Sequence, residues 1–265
     1  MSVALHHRFT LAAALALSAL AALWIAPAQA DDPSCKPSIA ETATVKSAID
    51  GRTLLLSDGR EVRLAGIEAT EQAKTALEAL VSGREVALLG TRPETDRYGR
   101  VVALVALQPA APGRSVQQML LELGQARVSA HVGEPGCAAA LLNAEKAART
   151  AGLGLWGDPY YVMRKAEDPA GILAVRGRFA VVEGTILSVR ESGGTIYVNF
   201  GRRWSDDFTV TVLKRNERIF TAAGLPLKKL AGQHVRVRGI VEERGGPWIE
   251  AARPEQIEIA ERGHE

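Results

Sequence analysis

The stretch from Asp50 to Glu71, DGRTLLLSDGREVRLAGIEATE, gathers Arg52, Arg63, Glu68 and Glu71 around closely spaced turns. These are the residue types that hold a phosphate. A guanidinium presents a planar fork of donors that matches two phosphate oxygens, and a carboxylate one water away from phosphorus can accept a proton. A second charged cluster follows at Asp96-Arg97-Tyr98-Gly99-Arg100. Judged only by residue type, Arg63, Glu71 and Arg100 equally describe solvated ion pairs near turns. Asp50 reads as the residue that fixes a turn with Gly51, and Asp58-Gly59 as a hairpin turn.

Other chemistries find little support. His6, His7, His131, His234 and His264 form no cluster, so neither a zinc site nor a nucleophilic triad is indicated. Cys137 has no second Cys or His at ligand spacing.

The elements that must position the charged residues are mostly strands. Residues 42–65 alternate apolar and polar through TATVKSAI, TLLLS and EVRLAGI. The period then lengthens, and Thr70-Glu71 opens a helical segment with Ala73, Ala76, Leu77, Leu80 and Val81 on one face, stopped by Gly83. EVALLG and RVVALVAL are two further strands, joined by a loop over Thr91–Arg100. Ser115 and Gln118 form a capping box before VQQMLLEL. A short strand, ARVSAHV, precedes a helix over Ala138–Ala151. Five strands with three helices fit a small closed barrel with helices packed outside. Tyr160–Ala174 reads as a polar linker. From Arg178 onward the pattern is nearly all strand, which predicts a second small barrel of the oligonucleotide/oligosaccharide-binding (OB) type.

At 265 residues, 47% hydrophobic and 23% charged, the chain has room for two cores. Residues 1–30 read as a signal peptide: Arg8, an apolar run, then Ala28-Gln29-Ala30. An uncleaved anchor is the alternative, because Phe9–Ala26 approaches spanning length. Cleavage predicts a periplasmic or secreted protein that leaves the membrane. An oxidising compartment would allow a Cys35–Cys137 disulfide, worth about 4–5 kcal/mol on the chain-entropy model; two unpaired thiols are the alternative. Net charge is only +2, with 16 Lys+Arg against 18 Asp+Glu over residues 31–172 and 15 against 12 over 173–265. Neither half is the basic body of a non-specific nucleic-acid binder, so contacts with nucleic acid would be local.

Three blocks resemble the staphylococcal nuclease (thermonuclease-like) family. They are the stretch from Asp50 to Glu71, Asp96-Arg97-Tyr98-Gly99-Arg100 with the following VVA, and LLLELGQARV with AEKAARTAGLGLW, ending on Trp156. The resemblance covers residues 42–158. It implies an OB-fold nuclease-like domain that hydrolyses phosphodiester bonds in DNA and RNA, usually with calcium. It implies that Arg63 and Arg100 grip the phosphate, that Glu71 activates the attacking water, and that Arg97 and Tyr98 hold a terminal phosphate of the bound nucleotide. This sequence departs from the family where the metal is held. Arg52 replaces the first carboxylate, Glu68 stands for the usual aspartate, and Ala69 would supply a carbonyl. Calcium takes about six to eight oxygen ligands, several of them charged. Arg52 could instead act as a built-in cation toward the phosphate. Thr70 replaces the family's proline, and Ala130 stands where an aromatic can stack on the base.

The expected organisation is therefore mainly β with helices: signal peptide 1–30, arm 31–41, nuclease-like domain 42–158, linker 159–175 and OB-like barrel 176–260. Two functions compete. One is an exported nuclease. The other is an inactive nuclease-fold module that binds protein, nucleic acid or polysaccharide. In the second barrel, Tyr197, Phe200, Trp204 and Trp248 with Arg202, Arg203, Arg236 and Arg238 would suit a stacking and cationic surface for single strands or sugars. Packing of aromatics within strands explains them equally well.

Overall fold

The computed structural model describes Cys35 and residues 37–109, 114–133, 135–203 and 205–260. The signal peptide expected at 1–30, and Trp204, lie outside the described residues.

The first barrel is built from β1 (Ile39–Asp50), β2 (Thr53–Leu56), β3 (Glu61–Leu64), β5 (Glu85–Thr95) and β6 (Val101–Leu107), closed in the order β1-β2-β3-β6-β5. All neighbours are antiparallel except β3 and β6, which run parallel. The EVRLAGI segment does not continue as one strand. β3 ends at Leu64, and after a turn at Ala65-Gly66 the chain enters β4 (Ile67–Ala69). This strand pairs with β7 (Ala126–Val128) in a separate ribbon. α1 (Ala73–Val81), α2 (Val116–Glu122) and α3 (Ala138–Thr150) pack around the barrel. Alternation explains the register: Val45, Leu54, Leu56, Val62 and Leu64 point inward and meet Leu77, Leu120 and Leu141 from the helices. Ser115 caps α2 through the reciprocal bonds with Gln118 that the sequence pattern predicts. Cys35 and Cys137 are joined by a disulfide across 102 residues, with Cys137 inside this core.

The second half has the same strand plan. β9 (Phe179–Thr185) and β10 (Ser188–Ser192) form a long bent first strand, followed by β11 (Thr195–Asn199) and β12 (Thr209–Leu213). The short helix α5 (Glu217–Ala222) comes next, as α1 follows β3 and β4. Then come β13 (His234–Ile240), the hairpin β14 (Glu242–Arg244) and β15 (Gly246–Glu250), and β16 (Ile257–Ile259). β12 and β15 are parallel, as β3 and β6 are in the first barrel, and β13 pairs with β9 as β5 pairs with β1. The core is Ile196, Val198, Phe208, Val210, Phe220, Val235, Val237 and Ile249. The stretch expected as a linker contains β8 (Arg164–Lys165), which pairs with β9, and α4 (Pro169–Leu173). Ala166 and Ile172 are buried in the second core, so this segment is part of the barrel's packing.

α3 joins the two barrels. Its Ala148 packs with Leu155, Trp156 and Val181. Beside this apolar contact lies a buried ionic network. Glu145, on α3, accepts from Arg238 on β13 at 3.0 Å and from Arg149 at 2.6 Å. Arg238 and Arg149 both reach Glu258 on β16, at 2.8 and 2.9 Å. Arg236 bridges Glu258 and Glu183. The side chains of Glu145 and Arg238 are both fully buried, and each draws one charged partner from its own half and one from the other. Burial alone would push Glu258 up, but Arg238, Arg149 and Arg236 outweigh it and hold the carboxyl below its ordinary value. The VRVR sequence suits a cationic surface, but the structure commits Arg238 to joining the barrels and Arg236 to bracing Glu183 and Glu258 within the second.

Candidate functional site

The turn between β1 and β2 organises one side of the site. Asp50 accepts from the Arg52 backbone N–H at 2.8 Å and from the Thr53 hydroxyl at 3.0 Å, the Asx-type turn expected from Asp50-Gly51. Gly51 is required by close approach. A Cβ there would lie 2.1 Å from the Thr70 carbonyl oxygen and 2.9 Å from Ala73. The turn carrying Thr70 and Glu71 is therefore seated directly on the Gly51 backbone. α1 begins at Ala73, so Glu71 belongs to this preceding turn rather than to the helix. Its side chain is exposed and has no hydrogen-bond or ion-pair partner among the described residues.

Arg52 faces β4. Its Nη1 donates to Glu68 at 2.5 Å and lies 3.4 Å from the Ile67 carbonyl. Both side chains are partly exposed. No described partner engages Nε or Nη2 of Arg52.

Arg63, on β3, is paired in register with Thr53 on β2 and Val102 on β6. It is half-buried and has no hydrogen-bond or ion-pair partner among the described residues. Burial lowers its pKa first; the positive charges of Arg52 and Arg100 lower it further, with Glu68 and Asp50 opposing. Two guanidiniums thus act on Arg63, which has no ion-pair partner among the described residues.

Arg100 is set by the turn between β5 and β6. Gly99 takes φ +80°, a left-handed conformation that favours glycine. Asp96 accepts from the backbone N–H of Tyr98 and of Arg100. It also holds the Arg100 guanidinium by two contacts, at 2.8 Å from Nε and 2.7 Å from Nη2. That hydrogen bonding keeps the Asp96 carboxyl below the usual carboxylate range and raises Arg100. Tyr98 lies exposed between two cations, 4.7 Å from Arg97 and 5.0 Å from Arg100, and its hydroxyl accepts from Arg97 at 2.6 Å.

The structure therefore brings Arg52, Glu68 and Arg100 into electrostatic range of Arg63 and places Arg97 and Tyr98 on the turn before Arg100. Glu71 stands on the neighbouring turn without a contact to them. Two residues read from the sequence only as parts of turns prove to position the site: Asp96, which aims Arg100, and Gly51, which seats the Glu71 turn. The paired turn motifs D-G and D-x-x-G-R are the signal that could have singled them out.

This geometry agrees with two comparisons. The family model described as staphylococcal nuclease homologue matches residues 61–158. The micrococcal nuclease of Shigella flexneri is 33% identical over 126 residues, which cover 42% of this chain and 71% of that protein. The sequence similarity, with a closed barrel overlapping the matched residues, leads to one conclusion: the chain belongs to the staphylococcal nuclease family.

Proposed function

We propose that the first barrel binds a nucleic-acid phosphodiester and hydrolyses it outside the cytoplasm without a calcium ion. The observation that carries this reading is Arg63, half-buried, acted on by the charges of Arg52 and Arg100, and without an ion-pair partner among the described residues. An anion placed there would relieve the repulsion among three guanidiniums, and the charge that develops on phosphorus would relieve it further. Arg63 and Arg100 would contact non-bridging oxygens. Arg52, anchored by Nη1, would offer its remaining N–H groups in the same direction. Glu71 would take a proton from the attacking water as the new P–O bond forms; the bond to the leaving oxygen breaks, and that oxygen takes a proton from solvent. Arg97 and Tyr98 would hold a terminal phosphate.

The donor set does not fit calcium. Glu68 is committed to Arg52, and both Asp50 oxygens serve the turn. Among the described residues, no group of three metal-binding side chains gathers anywhere. A guanidinium in that pocket replaces an oxygen ligand with a positive charge. The same ion pair favours a second reading, a nuclease-fold module that binds without cutting, because it consumes the carboxylate a catalytic cation would need. The disulfide suits an oxidising compartment, and among the described residues no helix is long and apolar enough to cross a membrane.

The test is digestion of single-stranded DNA and RNA by the purified chain, with calcium and with chelator, beside Arg63→Ala and Glu71→Gln. Cleavage that survives chelator and is lost in both variants supports the proposal. Cleavage abolished by chelator overturns its metal-independence. No cleavage by the wild type, together with weaker binding by Arg63→Ala, leaves the binding-module reading.

A further inference from the structure

The second barrel has a cleft of about 630 Å³ on the outward face of its five-stranded sheet. Alternation along β10, β11 and β12 sorts the two faces. Ile196, Val198, Val210, Val212 and Ile249 point into the core. The opposite face carries Ser188 and Arg190 on β10, Tyr197 and Asn199 on β11, and Thr209 and Thr211 on β12. Arg190 is directly opposite Tyr197, and Tyr197 directly opposite Thr211. Tyr197 is 38% exposed, so its ring is open to a partner. Next along the sheet, Trp248 donates to the Thr211 hydroxyl at 2.5 Å and lies under Arg244.

Charge distinguishes the kind of ligand. The cleft is lined by two arginines, Arg190 and Arg202, and by no carboxylate. No described carboxylate lies within ion-pair distance of either arginine. Glu191, the nearest acid in sequence, is engaged by Lys214 and Lys228 at 2.8 and 3.0 Å. The other carboxylates of the sheet, Glu242, Glu243 and Glu250, lie on β14 and β15, away from β10, and Asp207, beside Gly201, accepts from the Arg203 backbone N–H at 2.7 Å. A neutral sugar would leave both guanidiniums without a partner. A phosphodiester strand would supply oxygens for the arginines and a base for Tyr197.

We propose that this cleft is a second nucleic-acid site, which binds single-stranded DNA or RNA with Arg190 and Arg202 on the backbone and Tyr197 stacked on a base. The proposal does not depend on cleavage by the first barrel. The ionic network between the barrels would hold this strand at a fixed offset from Arg63.

The test is fluorescence anisotropy of a labelled oligothymidylate of about 15 nucleotides, near the upper site size of one OB barrel. Four forms of the full chain are compared: wild type, Arg190→Ala with Arg202→Ala, Tyr197→Ala, and Arg63→Ala with Arg100→Ala. Loss of two phosphate contacts should weaken binding at least tenfold. It should also reduce the slope of log affinity against log salt by about 1.4, at about 0.7 per contact for single strands. Tyr197→Ala should weaken binding about tenfold with the salt slope unchanged, as expected for stacking. Circular-dichroism melts confirm that each variant is folded. Binding that is unaffected by both second-barrel changes but lost in the Arg63 and Arg100 variant overturns the proposal. So does a chain that binds a sulfated oligosaccharide and ignores the oligothymidylate.

Discussion

Replacing Arg52 by aspartate should raise the affinity of the first barrel for calcium. Glu68 is already aimed at this point, 2.5 Å from the Arg52 guanidinium, and the Ile67 carbonyl faces the same group. A single positive charge about 4 Å from a dication is repelled by about 2 kcal/mol in water-like surroundings and by about 8 kcal/mol at an effective dielectric of about 20. Both side chains are partly exposed, so the lower figure is the safer one. Arg52→Asp removes that repulsion and substitutes an attraction of the same size, a change of at least about 4 kcal/mol, or about a thousandfold in affinity. Calorimetric titration with calcium measures it directly. Thermal melting provides an independent readout. Without calcium the variant crowds its new carboxylate against Asp50 and Glu68 and should melt below the wild type. At calcium about 100 times its Kd it should regain about 2.7 kcal/mol, a rise of about 5–10 °C. Wild type and variant binding calcium equally well would refute the argument that Arg52 closes the pocket. A variant with neither heat of binding nor a calcium-dependent melt would refute the argument that Glu68 and its neighbours still outline one.

Three further outcomes follow from the packing. Arg238→Met strands the fully buried Glu145 with Arg149 alone, which should cost about 3–5 kcal/mol and lower Tm by about 6–20 °C; adding Glu145→Leu should restore part of it, and a fall under about 2 °C in the single variant would contradict the network's role. Glu258 and Glu183 are both held below the ordinary glutamate value of 4.5: burial raises each, and the neighbouring arginines, with Lys165 at Glu183, outweigh it. A depressed folded pKa stabilises above the unfolded value and is lost as pH falls through the folded one, so Tm should hold steady down to about pH 5 and drop below it, less steeply in Glu258→Gln. Gly51→Ala forces a methyl against the Thr70 carbonyl and should cost about 1–3 kcal/mol, a Tm loss of about 2–12 °C; an unchanged melt would mean that the Glu71 turn can shift away freely.

Local rules made much of this legible in the sequence. Alternation placed the strands because each barrel has one apolar and one solvated face. The D-G, capping-box and Asp96–Arg100 patterns were readable because each closes its hydrogen bonds within a few residues. What escaped depends on contacts distant in the chain. The Arg52–Glu68 pair required the break after Leu64 that turns β4 out of the barrel and toward Arg52. Arg238 finds Glu145 across 93 residues, so VRVR looked like an ordinary half-solvated strand. The segment 159–175 looked like a linker because its polar residues dominate its composition, while Ala166 and Ile172 do the packing.

The ionic network on α3 also bears on how the two halves can be separated. Ala148, Trp156, Glu145 and Arg149 belong to the first barrel, yet their partners come from β9, β13 and β16. A gene shortened after the first barrel would expose an apolar patch and leave Glu145 without Arg238. A gene beginning at the second barrel would leave Arg238 without Glu145 and the Val128 carbonyl. Each half is therefore a poor free-standing module, and a recombination event that moved one without the other would yield a protein prone to misfold. Shuffling should carry the pair as one cassette.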